Sequence, residues 1–145
     1  MAEQNHMQVI FDAKSVNESL ARMVISAFMT GMNPTIDEID DVKTAVSEAV
    51  TNAIIHGYEG DESCIVRMHC ESRERLLIVE IMDEGVGIEN VKEAMEPFFT
   101  TKAHQERSGM GFAFMEAFMD EVQVKSEPGK GTRVILKKCI GATLV

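Results

Sequence analysis

The sequence predicts an α/β, or α+β, two-layer sandwich in which a mixed, mostly antiparallel sheet carries helices on one face. Apolar and polar residues alternate in five short segments, four of these segments form two hairpins with tight polar turns, and three longer segments have helical periodicity. The order β-α-α-β-β-loop-α-β-β contains more hairpins than a parallel βαβ series would. A length of 145 residues fits one domain spanning 1–145.

The first half of the chain is predicted to form one strand and two helices. The strand is HMQVIFDA. Ser15 and Glu18 form a capping-box pattern, which predicts the start of a helix with apolar positions at Leu20, Val24, Ala27 and Phe28. Thr35 and Glu38 form a second capping box, and the helix that follows ends at Gly57. Its apolar stripe comprises Ile39, Val42, Val46, Ala49, Val50 and Ala53.

The second half is predicted to contain two hairpins separated by a loop and a helix. CIVRMHC and LLIVEIMD flank a polar turn, and VQVKSEPGKGTRVILKK turns around Pro128 and Gly129. Between the hairpins, residues 88–108 have poor periodicity apart from a short helical pattern in VKEAM, which is typical of a functional lid. GFAFMEAFMDEV follows as a helix, with apolar spacing at Phe112, Met115, Phe118 and Met119.

Charge and composition limit the possible partners and location. A formal net charge of −10 disfavours direct binding to nucleic acid. No apolar run approaches the roughly 18 residues of a membrane span, and the N-terminus lacks a signal-peptide pattern. The three cysteines form no CxxC, so reduced thiols and a cytoplasmic location are expected.

Several common nucleotide and metal motifs are absent from the sequence. GKGT at 129–132 lacks the first glycine of a P-loop, and a hairpin turn explains it better. GVG at 85–87 and GMG at 109–111 each lack the third glycine of a dinucleotide-binding fingerprint. The protein-kinase motif set and zinc-ligand spacings are also missing.

Three polar residues, Glu48, Asn52 and His56, stand four residues apart along the flank of the second predicted helix. One interpretation is an ordinary solvated helix edge. The other is a site in which Glu48 acts as a general base and Asn52 supplies a neutral oxygen to Mg²⁺. His56 is interpreted mainly as a helix-end residue.

Two glycine-containing segments are further candidates for binding. In DEGVG, Asp83 directly follows a buried strand, and Gly85 and Gly87 would let the backbone lie close to a flat ligand. In RSGMGF, Ser108 and two glycines precede an apolar helix, whose first N–H groups could bind an anion. Taken singly, these segments are equally typical of a common turn and an ordinary helix cap.

The order of these motifs resembles a known ATP-binding family. E-x-x-x-N on a helix, D-x-G-x-G after a strand, a lid, G-x-G opening a helix, and Gly131-Thr132 in the last hairpin resemble the fold shared by gyrase, Hsp90, histidine kinases and MutL. SEAVTNAIIHGY, RSGMGFAFMEAFMDEV and NESLAR at 17–22 narrow the resemblance to the small anti-sigma kinases of spore-forming bacteria. This resemblance covers nearly the whole chain and implies a histidine-kinase-like ATPase fold.

The resemblance also implies roles for individual residues. Glu48 would activate the attacking group, and Asn52 would bind the Mg²⁺ that bridges the phosphates of ATP. Asp83, beside Gly85 and Gly87, would read the adenine, and Thr132 would support the adenine amino group. The residues implied around the phosphates of ATP or ADP are Thr100, Thr101, Lys102, Arg107, Ser108, Gly109, Met110 and Gly111, with Arg107 on the γ-phosphate. Arg22 would contact the protein partners.

The resemblance implies that the protein is a serine protein kinase that also inhibits transcription. Such a protein holds a sporulation sigma factor in an ATP-bound complex and phosphorylates a serine of an anti-anti-sigma protein. A homodimer is implied as well. No H-E phosphoacceptor box is present, so histidine autophosphorylation is not expected. Two alternatives stay open: a related kinase of the stress-response branch, and an ATP-gated sigma-binding module without phosphotransfer.

Overall fold

A computed structural model describes residues 4–96 and 111–141 of the chain. Its strands are β1 (Gln4–Asp12), β2 (Ile65–Arg73), β3 (Leu76–Asp83), β4 (Glu121–Glu127) and β5 (Gly131–Cys139). Its helices are α1 (Val16–Met29), α2 (Ile36–Asn52), α3 (Val91–Ala94) and α4 (Gly111–Phe118). A 3-10 turn, Thr30–Met32, follows α1, and a π-helical turn, Ala53–Gly57, continues α2.

The five strands form one sheet in the order β1-β2-β3-β5-β4. The sequence predicted a mixed, mostly antiparallel sheet, and all four pairings between the described strands are antiparallel. In sequence, α1 and α2 connect β1 to β2, and β2 begins beside the end of β1, so the two strands are antiparallel. Helix α4 connects β3 to β4, and β5 lies between these two strands in the sheet. The predicted two-layer α/β fold is confirmed.

The core lies between the helices and one face of the sheet. Residues of β2 and β3 alternate strictly between buried and partly buried, as expected when only one face is covered. The largest fully buried side chains include Met68, Leu77, Ile81 and Leu136 from the strands. The helices contribute Ile25, Met29, Val42, Val46, Val50 and Met115.

Helix α2 packs with the face that the sequence predicted. Val42, Val46, Ala49 and Val50 are buried, and Thr35 and Glu38 form the predicted reciprocal capping box. The end of the helix differs from the prediction, because the α-helical bonding stops at Asn52 and a π-helical turn reaches Gly57. Single π-helical turns inside helices often occur at functional sites.

Helix α1 differs from the prediction in two respects. Its buried residues are Ala21, Ile25, Phe28 and Met29, whereas Leu20 is 42% exposed. The predicted positions Phe28 and Val24 do contact the core, whereas Leu20 and Ala27 are exposed, because the helix has apolar side chains on two faces. Ser15 has helical dihedral angles and makes no side-chain cap bond, so the predicted Ser15–Glu18 capping box is wrong. The Glu18 carboxylate instead accepts hydrogen bonds from Ser47 Oγ and Thr51 Oγ1 on α2, each at 2.6 Å.

Candidate functional site

A cavity of about 680 Å³ opens between the C-terminal part of α2, the end of β3 and the start of α4. The predicted residues that line it are Asn52, Asp83, Gly87, Gly111 and Thr132. They come from four separate parts of the chain, so the fold brings together motifs that are up to 80 residues apart in sequence. A volume of this size is typical of a small-molecule or cofactor site.

The polar ladder on α2 contributes two residues to this cavity. Asn52 and His56 line it, although the sequence suggested only a helix-end role for His56. Glu48 is half-buried one turn before Asn52 and lies outside the lining formed by the described residues. Gly111, the first residue of α4, stands so close to Asn52 that a Cβ on it would lie 3.1 Å from Asn52 Nδ2. The E-x-x-x-N helix and the glycine that opens α4 are therefore neighbours.

Asp83 ends β3 with its side chain at the cavity and is only 9% exposed. Its Oδ1 atom accepts a hydrogen bond from the Gly85 backbone N–H at 2.9 Å. Burial raises the pKa of the Asp83 carboxyl above its usual value, while hydrogen bonds from the backbones of Gly85 and Thr132 act in the opposite direction. The carboxyl is held in one orientation and can accept a hydrogen bond from a ligand amino group.

Gly85 and Gly87 are required at their positions by the packing of the backbone around them. A Cβ on Gly85 would lie 1.9 Å from the Gly57 carbonyl oxygen, and a Cβ on Gly87 would lie 2.0 Å from the Glu127 carbonyl oxygen. Gly87 also has a φ of +76°, which disfavours other residues. Close packing between backbone segments therefore accounts for both glycines, and their close approach to a flat ligand stays a prediction. Gly87 also lines the cavity, whereas Gly85 does not.

Gly85→Ala is expected to lower the free energy of unfolding by at least about 2 kcal/mol, because its Cβ would overlap a backbone atom that cannot move freely. The Val86 N–H donates to the same Gly57 carbonyl at 2.8 Å, so the substitution would also disturb this hydrogen bond. Urea unfolding of the purified protein measures the effect. Gly31→Ala is the matched control, because a Cβ there meets nothing within 4 Å. Equal stability of the two variants would contradict the packing argument.

Thr132 belongs to a hydroxyl network that the sequence did not predict. Thr132 Oγ1 and Ser126 Oγ are 2.8 Å apart, and Ser126 Oγ accepts a hydrogen bond from the Ile88 backbone N–H at 2.7 Å. Ser126 thus connects Thr132 to the first residue of the predicted lid. The sequence did contain a signal, because Ser126 and Thr132 lie equally far from Gly129 in the predicted turn and pair across the hairpin.

Arg22 is the remaining predicted site residue in the described part of the chain, and it does not line the cavity. Arg22 is exposed on α1. The remaining predicted phosphate-site residues lie outside the described residues: Thr100, Thr101, Lys102, Arg107, Ser108, Gly109 and Met110. Glu18 joins the helix of Arg22 to the helix of Asn52, because its carboxylate accepts hydrogen bonds from Ser47 and Thr51.

Comparison with known proteins first defines the class. Residues 11–138 match the family described as the histidine kinase-like ATPase domain. A crystal structure of the RsbU and RsbW domains of a Mycobacterium tuberculosis protein has a TM-score of 0.65, with 19% sequence identity, over 94% of this chain and 32% of that one. At this identity the likeness shows the fold alone. The chain is therefore an ATPase domain of the histidine-kinase-like class. The residues that line the cavity all lie within the matched range.

More similar relatives then define the family within this class. The anti-sigma F factor of Clostridium acetobutylicum is 55% identical over 93% of this chain and 94% of its own length. That of Clostridium beijerinckii is 54% identical over 92% and 94%, respectively. The chain belongs to the anti-sigma F factor family. Across residues 4–96 and 111–141, no helix is long and apolar enough to cross a membrane.

Proposed function

We propose that the protein is an anti-sigma factor and an ATP-dependent serine protein kinase. It holds sigma F, a sporulation sigma factor, inactive in an ATP-bound complex, and it phosphorylates a serine of an anti-anti-sigma protein. The observation that carries the proposal is the convergence of Asn52, Gly111, Asp83 and Thr132 on one cavity. A nucleotide bound in this cavity would place its base near Asp83 and Thr132 at one end and its phosphates near Asn52 and Gly111 at the other.

Asp83 and Thr132 form the proposed base-binding end. Asp83 Oδ1 is oriented by the Gly85 N–H, so the carboxylate retains further acceptor capacity for the exocyclic amino group of adenine. Thr132 lies opposite Asp83 in the β3–β5 pairing and has its hydroxyl held by Ser126. An amino group is a donor that a 6-oxo purine lacks, so this arrangement favours adenine nucleotides.

Asn52 and the start of α4 form the proposed phosphate-binding end. Among the described residues, no cluster of three or more His, Cys, Asp and Glu side chains is placed to hold a metal ion. The amide oxygen of Asn52 fits Mg²⁺, which takes few protein ligands when phosphates and water supply the others. Mg²⁺, when bound there, would neutralise phosphate charge. Thr100, Thr101, Lys102 and the segment 107–110 would complete this end.

The proposed reaction transfers the γ-phosphoryl group of ATP to a serine hydroxyl. The Glu48 carboxylate takes the hydroxyl proton while the serine oxygen forms a bond to the γ-phosphorus. The bond between the γ-phosphorus and the β,γ-bridging oxygen breaks, and ADP leaves with its electron pair. Glu48 is one helical turn from Asn52, so the base and the phosphate-binding residue stand on one flank of α2.

The exposed face of α1 supports the proposed binding of protein partners. Val16, Leu20 and Met23 stand three and four residues apart and are 71%, 42% and 72% exposed, respectively. Arg22 adds an exposed cation on the same helix. Methionine and arginine are both enriched at protein interfaces, and arginine is frequent among the residues that dominate their affinity. A sigma-factor partner would place the protein in the cytoplasm, and the family resemblance leads us to propose a homodimer.

Arg22→Ala is expected to weaken binding of both the sigma factor and the anti-anti-sigma protein about tenfold or more, because arginine is enriched among the residues that dominate interface affinity. The affinity for ATP should stay unchanged, since Arg22 is outside the cavity lining. Titration calorimetry with each partner and with ATP measures the three affinities. Arg75→Ala, at an exposed arginine of the β2–β3 turn, is the control. Equal partner binding by the two variants would contradict the assigned surface.

A phosphate-transfer assay separates the proposed kinase from an ATP-gated binding module. The protein is incubated with labelled ATP, Mg²⁺ and a purified anti-anti-sigma protein. Label on a serine of that protein supports the kinase. ATP-dependent binding of sigma factor without any label would instead favour the module. Binding only to a stress-response sigma factor would favour the related kinase branch.

A further inference from the structure

Tyr58 is buried directly after the π-helical turn and uses both hydrogen-bonding capacities of its hydroxyl. The hydroxyl donates to the Ile65 carbonyl oxygen at 2.6 Å and accepts from the Glu84 backbone N–H at 2.7 Å. The directions are fixed, because a carbonyl oxygen only accepts and an amide N–H only donates. Tyr58 is 9% exposed, and its phenol ring is part of the hydrophobic core.

These two bonds join the start of β2 to the residue that follows Asp83. The backbone before Asp83 is fixed by its antiparallel pairing with Thr132 in β5. The backbone after Asp83 has left the sheet, and Tyr58 holds it at Glu84. The neighbouring Gly57 holds the same turn two residues further on, because its carbonyl accepts from the Val86 N–H at 2.8 Å.

We propose that Tyr58 is a positioning residue for adenine recognition, acting through the Asp83–Glu84 backbone. The inference rests on the proposed role of Asp83. Gly57 also contributes, because a Cβ there would lie 2.7 Å from Asp83 Oδ1 and would push the carboxylate away. Residues 57 and 58 therefore set the position of the Asp83 side chain from the α2 side of the cavity.

The hydroxyl keeps its donor proton under ordinary conditions. Burial raises the pKa of Tyr58 above its usual value, with smaller contributions from the carboxylates around it, although the bond from Glu84 acts in the opposite direction. The bond to the Ile65 carbonyl is therefore retained throughout the physiological pH range, and the oxygen stays available to the Glu84 N–H.

Removing the hydroxyl is expected to change nucleotide selectivity as well as stability. In Tyr58→Phe, the Glu84 N–H and the Ile65 carbonyl lose their partner, and part-buried polar groups without a partner shift toward water. The turn that follows Asp83 would move, and with it the Gly85 N–H that orients Oδ1. Interactions at the adenine amino group should weaken, whereas those at the phosphates should not.

The test compares ATP with inosine triphosphate, which has an oxo group in place of the adenine amino group. Wild-type protein should prefer ATP, and Tyr58→Phe should bind ATP roughly five- to twentyfold more weakly while its affinity for inosine triphosphate changes little. The preference for ATP should therefore shrink by the same factor. Ile25→Val, a conservative change in the core of α1, is the control for a general loss of stability.

The relative affinities of the variant and the wild-type protein for the two nucleotides distinguish the role of Tyr58 from that of Asp83. Equal weakening of both nucleotides, or an unchanged preference, would overturn the role of Tyr58 while leaving the assignment of Asp83 in place. A wild-type protein that binds both nucleotides equally would contradict the adenine assignment itself, and the inference with it. Amide hydrogen exchange at Glu84 adds a test on the wild-type protein, in which slow exchange is expected. Exchange as fast as at an exposed amide would overturn the bond to Tyr58.

Discussion

Replacing Glu48 with glutamine is expected to lower phosphate transfer to the anti-anti-sigma protein by about 10²- to 10⁴-fold, the usual contribution of a positioned general base. Glutamine has nearly the same shape but cannot accept the proton of the attacking serine hydroxyl. ATP affinity and ATP-dependent binding of the sigma factor should change little, because Asn52, Asp83 and Thr132 remain in place. Initial rates of phosphate transfer and the Kd for ATP, measured on the same preparation, separate the two effects.

Asp40→Asn provides the control for the Glu48 substitution. It removes one negative charge from an exposed position of the same helix, two turns before Glu48. If charge alone affected the substrate protein, both variants would lose activity to a similar extent. Unchanged phosphate transfer in Glu48→Gln would rule out Glu48 as the base.

Replacing Asp83 with asparagine is expected to weaken ATP binding roughly 100-fold or more. A site built to make a particular hydrogen bond loses much of its affinity when that bond cannot form. The Gly85 N–H requires an acceptor at the Oδ1 position, so the asparagine oxygen would face Gly85. Its amino group would then point toward the adenine amino group, and two donors would meet. Fluorescence or calorimetric titration with ATP measures the loss.

The Asp83→Asn variant should fold, and its pH dependence provides an independent check. Because burial raises the pKa of Asp83, the folded state holds this proton more tightly than the unfolded state. The resulting contribution to stability is present below the unfolded pKa and is lost as the pH rises through the folded pKa. Asparagine does not ionise, so this fall in stability with rising pH should be absent from the variant, as thermal unfolding at several pH values would show.

Glu84→Gln is the matched control for Asp83→Asn, because it neutralises the next carboxylate along the chain, whose side chain is exposed. It should retain ATP binding. A folded Asp83→Asn protein that binds ATP as tightly as wild type would contradict the adenine assignment.

The order of elements and the main site residues could be predicted from the sequence because they depend on local patterns. Alternation identified both hairpins, and the spacing of Val42, Val46 and Val50 identified the buried face of α2. Each of four predicted residues belongs to a short motif: Asn52, Asp83, Gly111 and Thr132. The resemblance to a known family predicted that they share one site, and all four line the same cavity. The roles proposed for them stay predictions.

The remaining features depend on contacts between distant segments, which no local pattern encodes. Glu18 fits a capping box in sequence, but α2 supplies two hydroxyl groups to its carboxylate, whereas the cap would provide a single backbone N–H. Leu20 has the spacing of a core residue, yet α1 is apolar on two faces and buries the one that carries Ile25. Tyr58 bonds to Glu84, 26 residues away, and this partner can be identified only in the folded chain.

The proposed function requires this domain to use ATP to phosphorylate a second protein. The most direct measurement is mass spectrometry of a purified anti-anti-sigma protein after incubation with this protein, ATP and Mg²⁺. We expect one phosphate on one serine of the added protein, none when ATP is omitted, and at most trace amounts with the Glu48→Gln variant. Tight ATP binding and sigma-factor binding with no phosphate on the added protein would contradict the claim.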